Sequence, residues 1–177
     1  MRPEIPQLHY VIDNEDILTS VEAKYVLAGD GFEAHSYELA QAVGSNLMDF
    51  ILGEPTRAFW AAVFDKVRRA RNPFEVSYRC DAHDLKRFMK VRVADVGNGS
   101  LSLAHFVLRT EPLPVPLRFS SHVGAESTRC SICNDVRHGG AWVRPEIAWG
   151  QGLLKTGSVN LVNYAVCGSC RDMAPPH

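Results

Sequence analysis

Five cysteines occur in this 177-residue chain, and four of them form two Cys-x-x-Cys pairs, Cys130 with Cys133 and Cys167 with Cys170. A two-residue gap lets both thiolates of a pair reach one ion. Two such pairs complete a tetrahedral shell around Zn²⁺, with sulfur at about 2.3 Å. Four protein ligands leave no open position for water, so the motif predicts a structural metal whose binding energy goes into folding. The competing readings are four ordinary core cysteines and a thioredoxin-like redox pair, which normally belongs to a βαβ pattern not seen here. His122, His138 and His177 are possible substitute ligands, but beside four cysteines they are expected on the surface. The fifth cysteine, Cys80, is expected as a buried thiol on the apolar face of a strand.

The two pairs are separated by 33 residues, more than the roughly 15 to 20 of common double-knuckle sites. The intervening stretch must therefore hold structure of its own. The expectation is a helix begun at Pro145, with Trp142, Ile147 and Trp149 packed over the knuckles. Catalytic patterns are lacking elsewhere: there is no G-x4-G-K-S/T loop, no G-x-S-x-G elbow and no H-E-x-x-H pair. A non-enzymatic protein is expected.

These residues need a scaffold, and the composition provides for one. Apolar residues make up 46 % and charged residues 22 %, the balance of a chain that buries a core. The opening MRPEIPQLHYVID lacks the positive start and apolar run of an export signal. The apolar stretches fall far short of the ~20 residues needed to cross a bilayer. A cytoplasmic protein without membrane contact is expected, in keeping with unpaired thiols.

Charge is uneven along the chain. Residues 1–56 hold 2 basic and 10 acidic side chains, residues 57–92 hold 10 and 4, and residues 93–177 hold 7 and 6. The basic segment includes Arg68, Arg69, Arg71, Arg79, Lys86, Arg87, Lys90 and Arg92. A nucleic-acid-binding regulator that uses these strands and the cysteine unit is one reading. A solvated or internally paired face is preferred, because the basic residues interleave with apolar ones and an acidic segment precedes them.

Leu8 to Ile12 and Ile17 to Val21 read as two strands around the acidic turn Asp13 to Asp16. From Glu22 to Phe50 the pattern is helical but interrupted by Gly29, Gly31 and Gly44. From Thr56 to Arg71, Phe59, Trp60, Val63, Phe64 and Val67 recur at helical spacing, and Asn72-Pro73 stops the helix. Three extended segments follow, Phe74 to Cys80, Arg87 to Val96 and Ser100 to Arg109, the last two joined by the Gly97-Asn98-Gly99 turn. The alternate prolines of EPLPVP at Glu111 to Pro116 mark a boundary. The division expected is residues 1–110 as one domain, 111–129 as linker and 130–177 as a small cysteine-bearing domain.

GSNLMDFILGEPTRAFWAAVFDKVRRARNPFEVSYRCD followed by RFMKVRVADVGNGSLSLAHFVL resembles a PAS sensory domain, with the acidic turn where that family joins its first two strands. The tail CSIC, Trp142 and CGSC resembles that of bacterial PAS proteins with the Tyr78-Arg79-Cys80-Asp81 phrase. The resemblance implies an α+β fold: a five-stranded antiparallel PAS-like sheet with helices on one face, followed by a zinc-ribbon-like unit. It implies a sensory or regulatory function, through a homodimer or a regulatory protein partner. It also implies a cavity between sheet and helices for a small ligand or cofactor, with Phe59, Trp60, Phe64, Tyr78, Met89, Val91, Leu103 and His105 as candidate lining. From the residues themselves the preferred reading is that these side chains simply fill a core, since aromatic residues at helical spacing usually pack together. Haem is a further alternative, through His105 or His35, although the long helix lacks the axial histidine usual in haem-binding members. No flavin-type Asn-Cys-Arg-Phe phrase is present.

Overall fold

The computed structural model describes residues 5–23 and 40–174. Five strands, β1 (Leu8–Ile12), β2 (Leu18–Ala23), β3 (Phe74–Arg79), β4 (Leu85–Gly97) and β5 (Ser100–Pro112), form an antiparallel sheet in the order β2-β1-β5-β4-β3. One face is covered by the long helix α1 (Glu54–Ala70) and by a 3-10 turn at Leu47–Phe50. This is the PAS-like α+β sheet that the resemblance implied. The expected helical stretch between Glu22 and Phe50 falls largely on residues 24–39, outside the described residues, as does His35.

Helix α1 begins with Pro55 in its first turn and ends at Arg71, whose left-handed φ of 54° turns the chain into β3. Thr56, Phe59, Val63, Phe64 and Val67 form its buried stripe. Each large apolar side chain buried contributes about 1.5–3 kcal/mol, so the stripe outweighs any single surface ion pair in holding the helix down. Arg68 on its flank ties the helix end to both hairpin turns. Its guanidinium donates to the carbonyl oxygens of Gly99 and Asp13, both at 2.8 Å, and to the Asp16 carboxylate at 2.7 Å. The acidic turn is shaped from within, because the Asp13 carboxylate accepts from the amides of Glu15 and Ile17.

A second sheet of β6 (Arg118–Ser121), β7 (Ser127–Cys130), β8 (Val136–His138), β9 (Ala141–Val143) and β10 (Val159–Ala165) has the order β6-β10-β7-β8-β9. Strand β10 runs parallel to both β6 and β7. Two short helices, α2 (Pro145–Gly150) and α3 (Gly168–Arg171), complete this part. Strand β6, and all of β7 except Cys130, lie within the stretch expected to link two domains. Helix α2 starts at Pro145 as expected, but Ile147 and Trp149 are 37 % and 40 % exposed rather than packed over the cysteines. The helix has fewer than two turns, so only one narrow face can be buried. It sets Ala148 against Leu117, Val136 and Leu154 in a separate small core. Trp142 does pack against the main core, which holds the cysteines.

That main core runs without a break from the first sheet into the second. Ile12, Phe64, Val91 and Leu103 belong to one cluster with Cys130, Ile132, Val166, Cys167 and Cys170.

Candidate metal centre and adjoining cavity

Parallel pairing of β10 with β7 brings the two Cys-x-x-Cys pairs together. Ala165 lies opposite Cys130 in the register, so Cys167 emerges two residues further on beside the first pair. The four sulfurs all lie within 4.8 Å of one another, and Cys133 Sγ is 3.8 Å from Cys167 Sγ. Sulfurs bound at about 2.3 Å to a tetrahedral ion stand about 3.8 Å apart, so the spacing fits the shell of such an ion. No disulfide joins them. Asn134 takes a left-handed φ of 67°, which curls the first knuckle, and the amides of Ile132 and Cys167 both point at Cys130 Sγ from 3.4 Å. These N–H groups favour a thiolate there.

Hydrogen bonds from Cys133 and Cys170 pull the Cys130 thiol down, and the same contacts push the Cys133 and Cys170 thiols up. Thiols this close cannot all ionise against their mutual repulsion, whereas a divalent cation lets them. Among the described residues no histidine or carboxylate joins the cluster. His122 and His138 are exposed, and His177 lies outside the described residues.

The Tyr78-Arg79-Cys80-Asp81 phrase, at the end of β3, forms the seam between this centre and the first sheet. The amide of Arg79 donates to the carbonyl of Ile132 at 2.7 Å, and Asn134 Nδ2 donates to the carbonyl of Arg79 at 3.3 Å. The Asp81 carboxylate, with a side chain 3 % exposed, takes Arg79 at 2.5 Å and has Arg129 of β7 at 3.8 Å. Arg129 also lies over the Phe119 ring at 4.0 Å. Thr56 of α1 and Ser131 share a hydroxyl hydrogen bond of 2.7 Å. Gly53, just before α1, passes so close to β10 that a Cβ would stand 2.5 Å from the Tyr164 carbonyl oxygen.

Beside the seam lies a cavity of about 190 Å³. Of the side chains expected to line it, Trp60, Phe64, Tyr78, Leu103 and His105 do so. Phe59, Met89 and Val91 do not, and this corrects the expectation. Trp60 and Phe64 are one helical turn apart on α1, whereas Phe59 is rotated toward a different groove between α1 and the second sheet. Met89 and Val91 are fully packed core residues on β4. The sequence reading missed the rest of the wall: Leu8 and Tyr10 of β1, Leu47, Phe50 and Ile51 at the 3-10 turn, Cys80 at the end of β3, and Ser131 and Ile132 of the cysteine knuckle.

Polar groups are few within this wall. Tyr78 Oη and His105 Nδ1 share a hydrogen bond of 2.7 Å, and the Tyr10 ring stacks on the imidazole at 5.1 Å. Burial raises the Tyr10 phenol well above its ordinary range. Burial, then the nearby Cys80 and Tyr10, raise Tyr78 despite Arg87. Both phenols therefore remain protonated. Cys80 has its sulfur 3.6 Å from Arg87 Nη1, and burial pushes its thiol up more than the guanidinium pulls it down. Arg87 is itself only 2 % exposed and donates to the Cys80 carbonyl at 2.8 Å.

The basic segment is largely engaged within the fold. Arg68 pairs with Asp16, Arg69 with Asp65, Arg79 with Asp81, Lys86 with Glu146 and Lys90 with Glu75. No helix among the described residues is long and apolar enough to cross a membrane.

No family model and no curated protein matches this chain. Among solved structures it is similar to the PAS domain of the Cronobacter turicensis RpfR quorum-sensing receptor in complex with BDSF. Identity is 11 %, coverage is 62 % of this chain and 100 % of that one, and the TM-score is 0.43. The same domain in complex with C12:0 gives 12 % identity, the same coverage and a TM-score of 0.43.

Proposed function

We propose that this chain is a non-enzymatic, cytoplasmic sensory protein whose PAS-like half receives a small, compact, mostly apolar ligand, and whose four cysteines hold one structural Zn²⁺. The observation that carries the reading is the cavity beside α1, bounded by aromatic rings and by a hydrogen-bonded Tyr78–His105 pair. An apolar wall with a few convergent polar groups is the usual make-up of a small-molecule site. At about 190 Å³ the space is well below the roughly 300 Å³ at which drug-sized sites begin. A cavity of about 150 Å³ already admits benzene. This size favours a one- or two-ring molecule with one hydrogen-bonding group. It counts against haem, which is far larger than this space.

A tetrahedral set of four thiolates suits zinc or iron. Zinc is the reading here: the closed shell leaves no position for a bound water, so the ion's contribution is folding energy. Internal pairing of the basic side chains counts against a phosphate-binding face. Ligand binding then alters the fit of the sheet or tail to a second copy of the chain or to a regulatory protein.

The test is native mass spectrometry and elemental analysis of the chain purified under reducing conditions. One zinc per chain and a retained or exchangeable small molecule are expected. An iron-coloured protein would overturn the zinc assignment. A chain that takes up no member of a one- and two-ring fragment set would overturn the ligand assignment.

A further inference from the structure

We propose that the metal centre and the cavity are energetically coupled, because the turn between Cys130 and Cys133 is one wall of the cavity. This inference rests on the metal and ligand sites proposed above and adds how one regulates the other. Ser131 and Ile132 are the two residues between the first pair of cysteines, and both line the cavity. Ile132 is 1 % exposed, and its backbone is held at both ends. Its amide points at Cys130 Sγ from 3.4 Å, and its carbonyl accepts from the Arg79 amide, between the cavity residues Tyr78 and Cys80. Ser131 is pinned likewise, its hydroxyl to Thr56 and its amide to the Ala165 carbonyl at 2.8 Å.

Metal binding fixes the sulfurs, the sulfurs fix the turn, and the turn holds Ile132 against the cavity. Without the ion, nothing draws the four sulfurs together at this spacing, and the turn between Cys130 and Cys133 loses its anchor. A ligand in contact with Ile132 in turn supports the closed arrangement of the turn. Binding in either place must therefore strengthen binding in the other by the same factor.

The unaltered full-length chain tests this with indole as the probe and a chromogenic chelator as the zinc acceptor. Saturating indole is expected to lower the fraction of zinc lost to the chelator at equilibrium by an amount equal to about a tenfold gain in affinity. Removal of zinc is expected to weaken indole binding by the same factor. The Ile132→Ala variant retains all four thiolates. It is expected to keep one zinc per chain while losing most of the response to indole. Equal indole affinity with and without zinc, or a full response in a zinc-loaded Ile132→Ala chain, would overturn the coupling and leave both sites standing. If indole binds neither form, the same titration with a member of the one- and two-ring fragment set that does bind decides the coupling, and a set without any binder removes the ligand reading on which it rests.

Discussion

The amide of Arg79 and the carbonyl of Ile132, 2.7 Å apart, join the edge strand of the first sheet to the turn that carries Cys130 and Cys133. Around this bond the four residues of Tyr78-Arg79-Cys80-Asp81 divide their work by strand alternation. Tyr78 and Cys80 turn into the cavity, and Arg79 and Asp81 reach toward the cysteine-bearing sheet. The cysteine cluster is thus built onto the sheet rather than tethered to it.

Loss of the metal should consequently be felt in both halves. From sequence alone, replacing Cys167 would unfold the tail and spare the first domain. With Cys130, Ile132 and Cys167 in one core with Phe64 and Val91, Cys167→Ala should instead lower the stability of the whole described fold. The expected loss is about 4 kcal/mol or more, as is usual when a structural metal goes. Denaturation followed at α1 and at β10 should give coincident transitions. A first sheet that melts as in the parent chain would contradict this.

Asp81 faces two arginines with almost no access to water. Asp81→Asn removes the charge and leaves Arg79 and Arg129 uncompensated, at a cost of about 3–5 kcal/mol if the pair behaves as buried pairs do. Lys90→Gln, which breaks the more exposed contact with Glu75, should cost less than about 1 kcal/mol. Urea midpoints of the two variants provide the comparison, and equal losses would show that Asp81 is not the keystone of the seam.

Much of this arrangement was legible in the sequence. Helix α1 announced itself through Phe59, Val63, Phe64 and Val67, and the strands through alternation, because both signals are local and repeat along the chain. The cysteine spacing identified four residues that do cluster. Pairings between distant segments were not legible. Nothing local marks the parallel alignment of β10 with β7, or the arrival of Ile132 beside Tyr78. Arg87 was hidden by its own chemistry. It occupies an inward register with Met89, Val91 and Val93, yet a charged residue reads as outward until its hydrogen bond to the Cys80 carbonyl is seen. Trp149 misled in the opposite direction, since an aromatic residue near a proline-started helix suggests a core that a helix this short cannot form.

The contact between Lys86 of β4 and Glu146 of α2 gives the seam a pH dependence. Burial alone would raise the Glu146 carboxyl. The hydrogen bond and charge of Lys86, with the residue's own backbone amide, outweigh it and leave the group below its ordinary 4.5. A carboxyl depressed in the folded state contributes stability that is complete above the unfolded value and lost as pH falls through the folded one. The stability difference between the parent and Glu146→Gln should therefore be constant from pH 7 to about 5.5 and shrink below 4.5. A difference that grows on acidification would reverse the assigned sign.

Gly53 offers the most stringent test of how closely the two sheets are joined. Its φ of 84° lies where L-residues are strained, and an added Cβ would meet the Tyr164 carbonyl oxygen at 2.5 Å, a backbone atom in a central strand that has no rotamer to change. Gly53→Ala therefore combines a conformational cost of about 1–3 kcal/mol with a displacement of β10 from the start of α1. Because β10 leads directly into Cys167, that displacement should also loosen the metal site, and zinc should be lost to a competing chelator more readily than from the parent. Gly44→Ala is the matched control. It has a similar φ of 92° but nothing within reach of the new methyl group, so it carries the conformational cost alone and should leave zinc affinity unchanged. Equal effects of the two substitutions on zinc retention would mean that α1 and β10 are not held in register by this contact.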